Sequence, residues 1–314
     1  MIYLKRITLP TEDQEWHFSV LGVSDNNRGN IIASKETLRR CYSSRYPFGV
    51  LSRNKLTNVV FSDVTILCGS NGCGKSTLLN IIANKLKLRR VTPYNRSVFY
   101  EDYLKFCDVS IALDEEDYKL DLENCSRIIT SDDVFDFMLQ LRIKNEELDL
   151  KRKQVLQRHA KYNYGLIMKP ASVDFDDQKS IDKYKEWSEM TRNTGSRYVR
   201  ENLGFNEREY SNGESGYQFF VDAIQPNGLY LLDEPENSLA ADLQIELAKY
   251  IPGMAKHFNC QFIISTHSPF LLAIPRAKIY DLDQNPVKVQ AWTKLHNVQL
   301  FHNFFKEHES EFER

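Results

Sequence analysis

An α/β domain with a mostly parallel core sheet is the fold the sequence predicts, on three features. Thr65-Ile66-Leu67-Cys68 is a short, apolar, β-prone run that passes through a glycine-rich loop into a helical repeat at Leu78, Leu79, Ile81, Ile82 and Leu86. Two later runs, Gly228 to Asp233 and Gln261 to Ser265, are similarly short and apolar. Continuous hydrophobicity of this kind marks strands buried on both faces. The 314 residues hold one large α/β domain with an insertion, or two small domains.

Composition narrows the classes. With 42% hydrophobic and 27% charged residues, a packed globular chain is expected. The 41 Lys and Arg against 43 Asp and Glu leave a net charge of -2, so no global field favours nucleic acid or acidic lipid. No apolar run approaches the roughly 20 residues of a membrane helix, and Met1 to Arg6 lacks the apolar core of a signal peptide. The six cysteines are scattered without a CxxC pair, which points to a reducing, cytoplasmic setting.

The loop after the first strand reads Gly69-Ser70-Asn71-Gly72-Cys73-Gly74-Lys75-Ser76-Thr77, the pattern GxxxxGK[ST] between a strand and a helix. A chance match in a chain of this length is on the order of one per cent. The glycines let the backbone curl so that successive N–H groups face phosphate oxygens, and the helix N-terminus adds its partial positive charge. Lys75 supplies a point charge for the β- and γ-phosphates, and the Ser76 hydroxyl suits Mg²⁺.

Three further runs follow. Leu229 to Leu232 ends in Asp233 and Glu234; the first suits a metal-bound water and the second a base that polarises an attacking water. Gln261 to Ser265 leads to Thr266 and His267, about 30 residues after the acids, at a sheet end where a ligand crevice is expected. Ser211-Asn212-Gly213-Glu214 precedes an apolar helical start at Tyr217. It reads as an anion site made by the Ser211 hydroxyl and the Gly213 N–H, or as a capping box between Ser211 and Glu214.

Taken in chain order, P-loop, Ser-x-Gly-Glu, paired acids and Ser-Thr-His, the four motifs resemble the ABC-type ATPases, P-loop proteins in which Ser211-Asn212-Gly213-Glu214 corresponds to the signature, Leu229 to Glu234 to Walker B and its base, Glu236-Asn237-Ser238-Leu239 to the D-loop, and His267 to the switch histidine. The wording of the acidic and histidine runs, with Tyr46-Pro47-Phe48 and Ala277 to Asp283, is similar to the stand-alone AAA family branch related to SMC and OLD-type ATPases. The resemblance implies an antiparallel β edge before the P-loop, with Tyr46 or Phe48 against adenine. It implies ATP and Mg²⁺ as ligands, Glu234, His267 and Lys75 as catalytic groups, and Ser76 and Asp233 on the metal. It also implies a head-to-tail homodimer in which Ser211, Gly213 and Glu214 complete the partner's site, and a protein partner moved by the cycle, in DNA-related or phage-defence work. A nucleotide-gated binding module and a transporter ATPase subunit are the competing readings; membrane association is not expected.

One motif is missing. The family carries a glutamine after a strand between P-loop and signature, but the matching run, Ser126 to Thr130, continues into Ser131-Asp132-Asp133. Ser131 or Asp132 is expected to cap the next helix or to take over positioning of water and metal. The expected divisions are a β region and P-loop lobe at 1–133, a charged helical insertion at 134–205 and a signature and Walker B lobe at 206–314. Within the insertion, Lys151, Arg152, Lys153, Arg158, His159 and Lys161 form a basic cluster, read as a solvated face or as a nucleic-acid or partner contact (151–161). Two helices of about 30 residues would reach only about 45 Å, which excludes a long coiled-coil arm. Trp292 to Arg314 reads as a helix docked on the core.

Overall fold

The computed structural model describes residues 2–21, 23–24, 31–33, 44–112, 126–203, 206 and 212–312. It divides into two compact units, one formed by Met1–Phe135 with Asn212–Arg314 and the other by Asp136–Ser211.

The first unit is built on a six-stranded sheet. Its strands are β5 (Val64–Cys68), β7 (Arg127–Thr130), β8 (Leu229–Asp233), β9 (Gln261–Ser265), β10 (Lys278–Asp281) and β11 (Lys288–Gln290), in the order β11-β10-β5-β9-β8-β7. All pairings are parallel except that of β10 with β11, which closes one edge antiparallel. Every residue of β5 and β9 is buried, which is why their sequences carry no polar alternation. A second sheet, β4-β1-β6, is wholly antiparallel and comprises β1 (Leu4–Thr8), β4 (Asn58–Val60) and β6 (Asp108–Ile111). This is the antiparallel edge the resemblance implies. A third pair joins β2 (Val23–Ser24) to β3 (Ile31–Ala33). Gln261 ties the two larger sheets together: its amide accepts from Tyr3 and Leu4 N–H and donates to Leu4 and Ser62 carbonyls, so a fully buried polar side chain is satisfied.

Helix α1 (Glu12–Leu21) precedes the P-loop region. Helix α2 (Lys75–Lys85) leaves the P-loop and buries Leu78, Leu79, Ile81, Ile82 and Ala83. A short α3 (Tyr100–Phe106) buries Tyr100 and Tyr103 in the same core.

Helix α4 (Ser131–Asn163) starts directly at the end of β7, three residues before the helical pattern is legible in the sequence. The cap is neither Ser131 nor Asp132. Thr130 and Asp133 form it reciprocally, with Asp133 Oδ2 accepting from Thr130 N at 2.7 Å and Thr130 Oγ1 accepting from Asp133 N at 3.3 Å. Asp133 also accepts from Thr92 N at 3.1 Å, so its buried carboxylate is taken up in structure.

The second unit holds the rest of α4, with α5 (Gln178–Arg192) and α6 (Gly195–Leu203), so the insertion is one long helix and two short ones. Its basic cluster does not form one face. His159 is buried and bonded to Asn193 O at 2.8 Å, Arg152 pairs with Asp149 at 2.7 Å, and Arg158 pairs with Glu186.

Among the described residues no helix is long and apolar enough to cross a membrane.

Candidate functional site

The parallel order of the sheet decides where the chemistry gathers. Strands β5, β9 and β8 are adjacent, with Leu67 opposite Ser265 and Ser265 opposite Asp233. Their C-terminal ends therefore deliver the P-loop, the histidine turn and the paired acids to one edge, where parallel sheets bind ligands.

The P-loop curls through positive φ at Gly69, Gly72 and Gly74. Gly74, at φ 106°, leaves no room for a side chain without a shift, because an added Cβ would lie 2.6 Å from the buried Leu51 Cδ2. Helix α2 then begins at Lys75, whose side chain is buried. Its Nζ donates to Gly69 O at 3.0 Å and Ser70 O at 3.3 Å, and lies 2.6 Å from His267 Nε2. An ammonium has no lone pair, so Nε2 is the acceptor and the imidazole is neutral, with its proton on Nδ1. Burial and the Lys75 charge hold the His267 pKa below its ordinary value, in agreement with a neutral ring.

Ser76 Oγ donates to Asp233 Oδ1 at 3.0 Å, and Ser265 Oγ donates to the same oxygen. Burial pushes the Asp233 carboxyl up, partly offset by these two hydroxyls. A desolvated carboxylate beside a serine hydroxyl at the foot of a phosphate cradle fits Mg²⁺, a hard cation bound by few protein oxygens plus substrate phosphates.

Glu234 sits in the left-handed region, at φ 49° and ψ 53°, a conformation a residue with a Cβ adopts at a cost of about 1–3 kcal/mol. The β9 carbonyl of Ser265 accepts its N–H at 3.0 Å and holds it there. The twist carries the side chain over the P-loop: Oε1 lies 3.8 Å from Lys75 Nζ and 3.6 Å from His267 Nε2, and Oε2 accepts from Asn237 at 3.0 Å. Asn71, Gly72, Gly74, Lys75, Ser76, Thr77 and Glu234 line one cleft of about 360 Å³.

Three supporting residues carry no distinct role at the level of sequence. Glu236 Oε1 accepts from His267 N at 2.5 Å and pins the histidine turn to the acidic turn; burial pushes its carboxyl up. Ser265 buttresses Asp233. Asp283, just past β10, accepts from Ser70 N through both oxygens (2.9 and 2.8 Å) and from Ser70 Oγ at 2.7 Å, closing the start of the P-loop. Glu236 and Asp283 lie in runs quoted for resemblance, and their proximity to the P-loop is not encoded in spacing.

Ser211 lies outside the described residues; Gly213 and Glu214 fall in the first turn of α7 (Asn212–Ala223), where Glu214 is exposed. Gly216 lies close to the D-loop, since an added Cβ would meet Ser238 O at 3.0 Å. Both aromatic candidates pack on the core: Phe48 meets the Tyr103 ring edge-on at 5.0 Å, and the Tyr46 hydroxyl bonds Thr77 Oγ1 at 3.2 Å.

A P-loop at the end of β5, a serine–aspartate pair beneath it, and a glutamate and histidine above it on neighbouring strand ends define a P-loop ATPase domain of the ABC type. The family model for the ABC transporter matches residues 57–237, more than half of the chain, and that of the AAA ATPase domain matches residues 214–272. The chain belongs to the ABC transporter family of ATPase domains. Among solved structures, the Smc head domain of Pyrococcus furiosus, crystallised with an extended coiled coil and bound to the C-terminal domain of ScpA, is 14% identical, covers 79% of this chain and 94% of that one, and has a TM-score of 0.36. Stu0660 of Streptococcus thermophilus is also 14% identical, covers 80% and 76%, and has a TM-score of 0.36. No curated protein matches the chain.

Proposed function

We propose that the chain hydrolyses ATP, with Mg²⁺ bound, by in-line attack of water on the γ-phosphate, and that two copies close head-to-tail around the nucleotide. The observation that carries this reading is the meeting of Lys75, Glu234 and His267 within 4 Å of one another above the Ser76–Asp233 pair.

The P-loop amides and Lys75 hold the phosphates, Lys75 exchanging its present carbonyl and imidazole partners for phosphate oxygens. Ser76 and Asp233 would hold the metal, which supplies charge neutralisation between the β- and γ-phosphates. Glu234 orients the water and takes its proton; its anchored backbone and the Asn237 contact limit the rotamers it explores. His267 steadies the γ-phosphate as an N–H donor: once Lys75 leaves Nε2 for phosphate oxygens, the neutral ring shifts its proton from Nδ1 to Nε2 and donates from there.

Glu214 is exposed in the first turn of α7, as a group offered to a second molecule has to be, and by the family resemblance Ser211, Gly213 and Glu214 act on the site of the second copy. ATP then closes the pair and hydrolysis reopens it, which drives a conformational change in a protein partner. The test is steady-state phosphate release with and without Mg²⁺, alongside the mass in solution of Glu234→Gln with ATP. Metal-dependent release by the wild type and an ATP-dependent dimer of the variant are expected; absence of release at any Mg²⁺ concentration overturns the enzymatic reading.

A further inference from the structure

The C-terminal helix departs from the docked helix its sequence predicts. Beyond α8 (Ala241–His257) and α9 (Pro269–Leu272), helix α10 (His296–Glu307) is anchored at its root, where Leu295 and Val298 are 1% and 6% exposed. Every residue from 299 to 307 is exposed. Leu300, Phe301, Phe304 and Phe305 keep 55, 41, 55 and 52% of their surface in solvent, and Phe312 on the short α11 (Glu309–Phe312) keeps 73%.

Positions 300, 301, 304 and 305 fall on one stripe of a helix. A helix of this length is marginal in water unless something packs on it. At roughly 200 Å² per aromatic side chain, the half-exposed stripe presents on the order of 500 Å² of apolar surface, a large patch for a lone monomer. Two such stripes pressed together bury on the order of 1,000 Å², and their polar rims bring the total to the lower range of specific interfaces, about 1,200 Å². The rim carries both signs: Lys294 and Lys306 on one hand, Glu307, Glu309 and Glu311 on the other, Glu311 lying 2.7 Å from His308 of its own chain. In a two-fold antiparallel pairing centred on the 300–305 stripe, the acids at 307–311 of one copy face the 294–298 end of the other, where Lys294 is exposed, so the surface is complementary to itself.

We propose that α10 and α11 form a nucleotide-independent contact with the same segment of a second copy of this chain. The root of this contact is wired to the site, because Asn297 Nδ2 donates to His267 O at 2.8 Å. Two chains held this way meet at high effective concentration, so closure on ATP becomes an intramolecular event. The contact itself does not depend on the ATPase reading.

The test is the mass of the nucleotide-free full chain by light scattering and sedimentation at micromolar concentration. The wild type is expected at twice the 36.7 kDa chain mass. Phe304→Glu with Phe305→Glu should raise the dissociation constant by about a hundredfold or more, as expected for two aromatic anchors per copy. Phe304→Leu with Phe305→Leu, which keeps the stripe apolar, should stay dimeric. A monomeric wild type overturns the proposal, as does a glutamate double variant that remains as dimeric as the wild type. Dimers that appear only with ATP and Glu234→Gln overturn this contact and leave the ATPase reading standing. A monomer that instead binds a different protein through these phenylalanines also overturns it.

Discussion

The Lys75 ammonium lies 2.6 Å from His267 Nε2, so the phosphate-binding lysine and the histidine of the neighbouring turn hold each other across the cleft. This contact can exist only while the imidazole is neutral. His267 has its pKa lowered below 6.5, by burial first and Lys75 second, so the unfolded chain takes up a proton at a higher pH than the native one. The stability this group contributes is complete above pH 6.5 and is lost as pH falls through the lower native value. The difference in melting temperature between wild type and His267→Gln, measured without nucleotide from pH 8 to pH 5, should therefore shrink as the solution is acidified.

Replacing Glu234 by Gln removes the base and leaves the P-loop intact. Phosphate release should fall by at least about a hundredfold, the usual contribution of a positioned base, with ATP affinity within a few-fold of wild type. Isothermal titration and a turnover assay on the same preparation check both halves.

Asp233 is buried with its carboxyl pushed up, so ionising it works against the native state. For such an acid, stability is lost as pH rises from the ordinary value of 3.8 through the raised native one, and at neutral pH the penalty is present in the apo chain. Asp233→Asn should therefore melt at the same temperature as wild type or up to about 2 °C higher, roughly 1 kcal/mol, while its stabilisation by Mg²⁺ with ATP is lost. Differential scanning calorimetry with and without nucleotide separates the two effects.

Glu236 acts through the histidine turn. Glu236→Ala leaves the His267 N–H without its 2.5 Å acceptor and should cost about 1–3 kcal/mol. Glu236→Gln keeps an acceptor oxygen and should cost less. Denaturant melts measure stability, and the accompanying fall in kcat with little change in KM marks a positioning role.

Asp283→Ala frees the Ser70 N–H and hydroxyl at the start of the P-loop. The loss of these bonds, roughly 1 kcal/mol, should raise KM for ATP a few-fold. Asp283→Asn, which keeps one carbonyl acceptor, should recover most of it.

Much of this molecule is written locally. The P-loop is legible because its demands are backbone demands: glycine where φ is positive, lysine and serine at fixed offsets, a buried strand before and an apolar helical face after. Asp233, Glu234 and His267 are legible because each ends a short apolar run. The antiparallel edge came through resemblance rather than through periodicity. The start of α4 at Ser131 escaped a hydrophobic reading because the signal there is a Thr130–Asp133 cap, made of polar residues.

By itself the sequence determined the fold class, the phosphate cradle and the identity of the groups around it, since each rests on contacts between near neighbours in the chain. Only the tertiary structure decided that β9 lies between β5 and β8, bringing His267 onto Lys75 and twisting Glu234 over both. The roles of Glu236, Ser265 and Asp283 arise in the same way: hydrogen bonds between residues tens to hundreds of positions apart leave no spacing pattern to read. The solvent-facing stripe of α10 has the same origin, because an amphipathic pattern states that a helix has an apolar face and not what covers it.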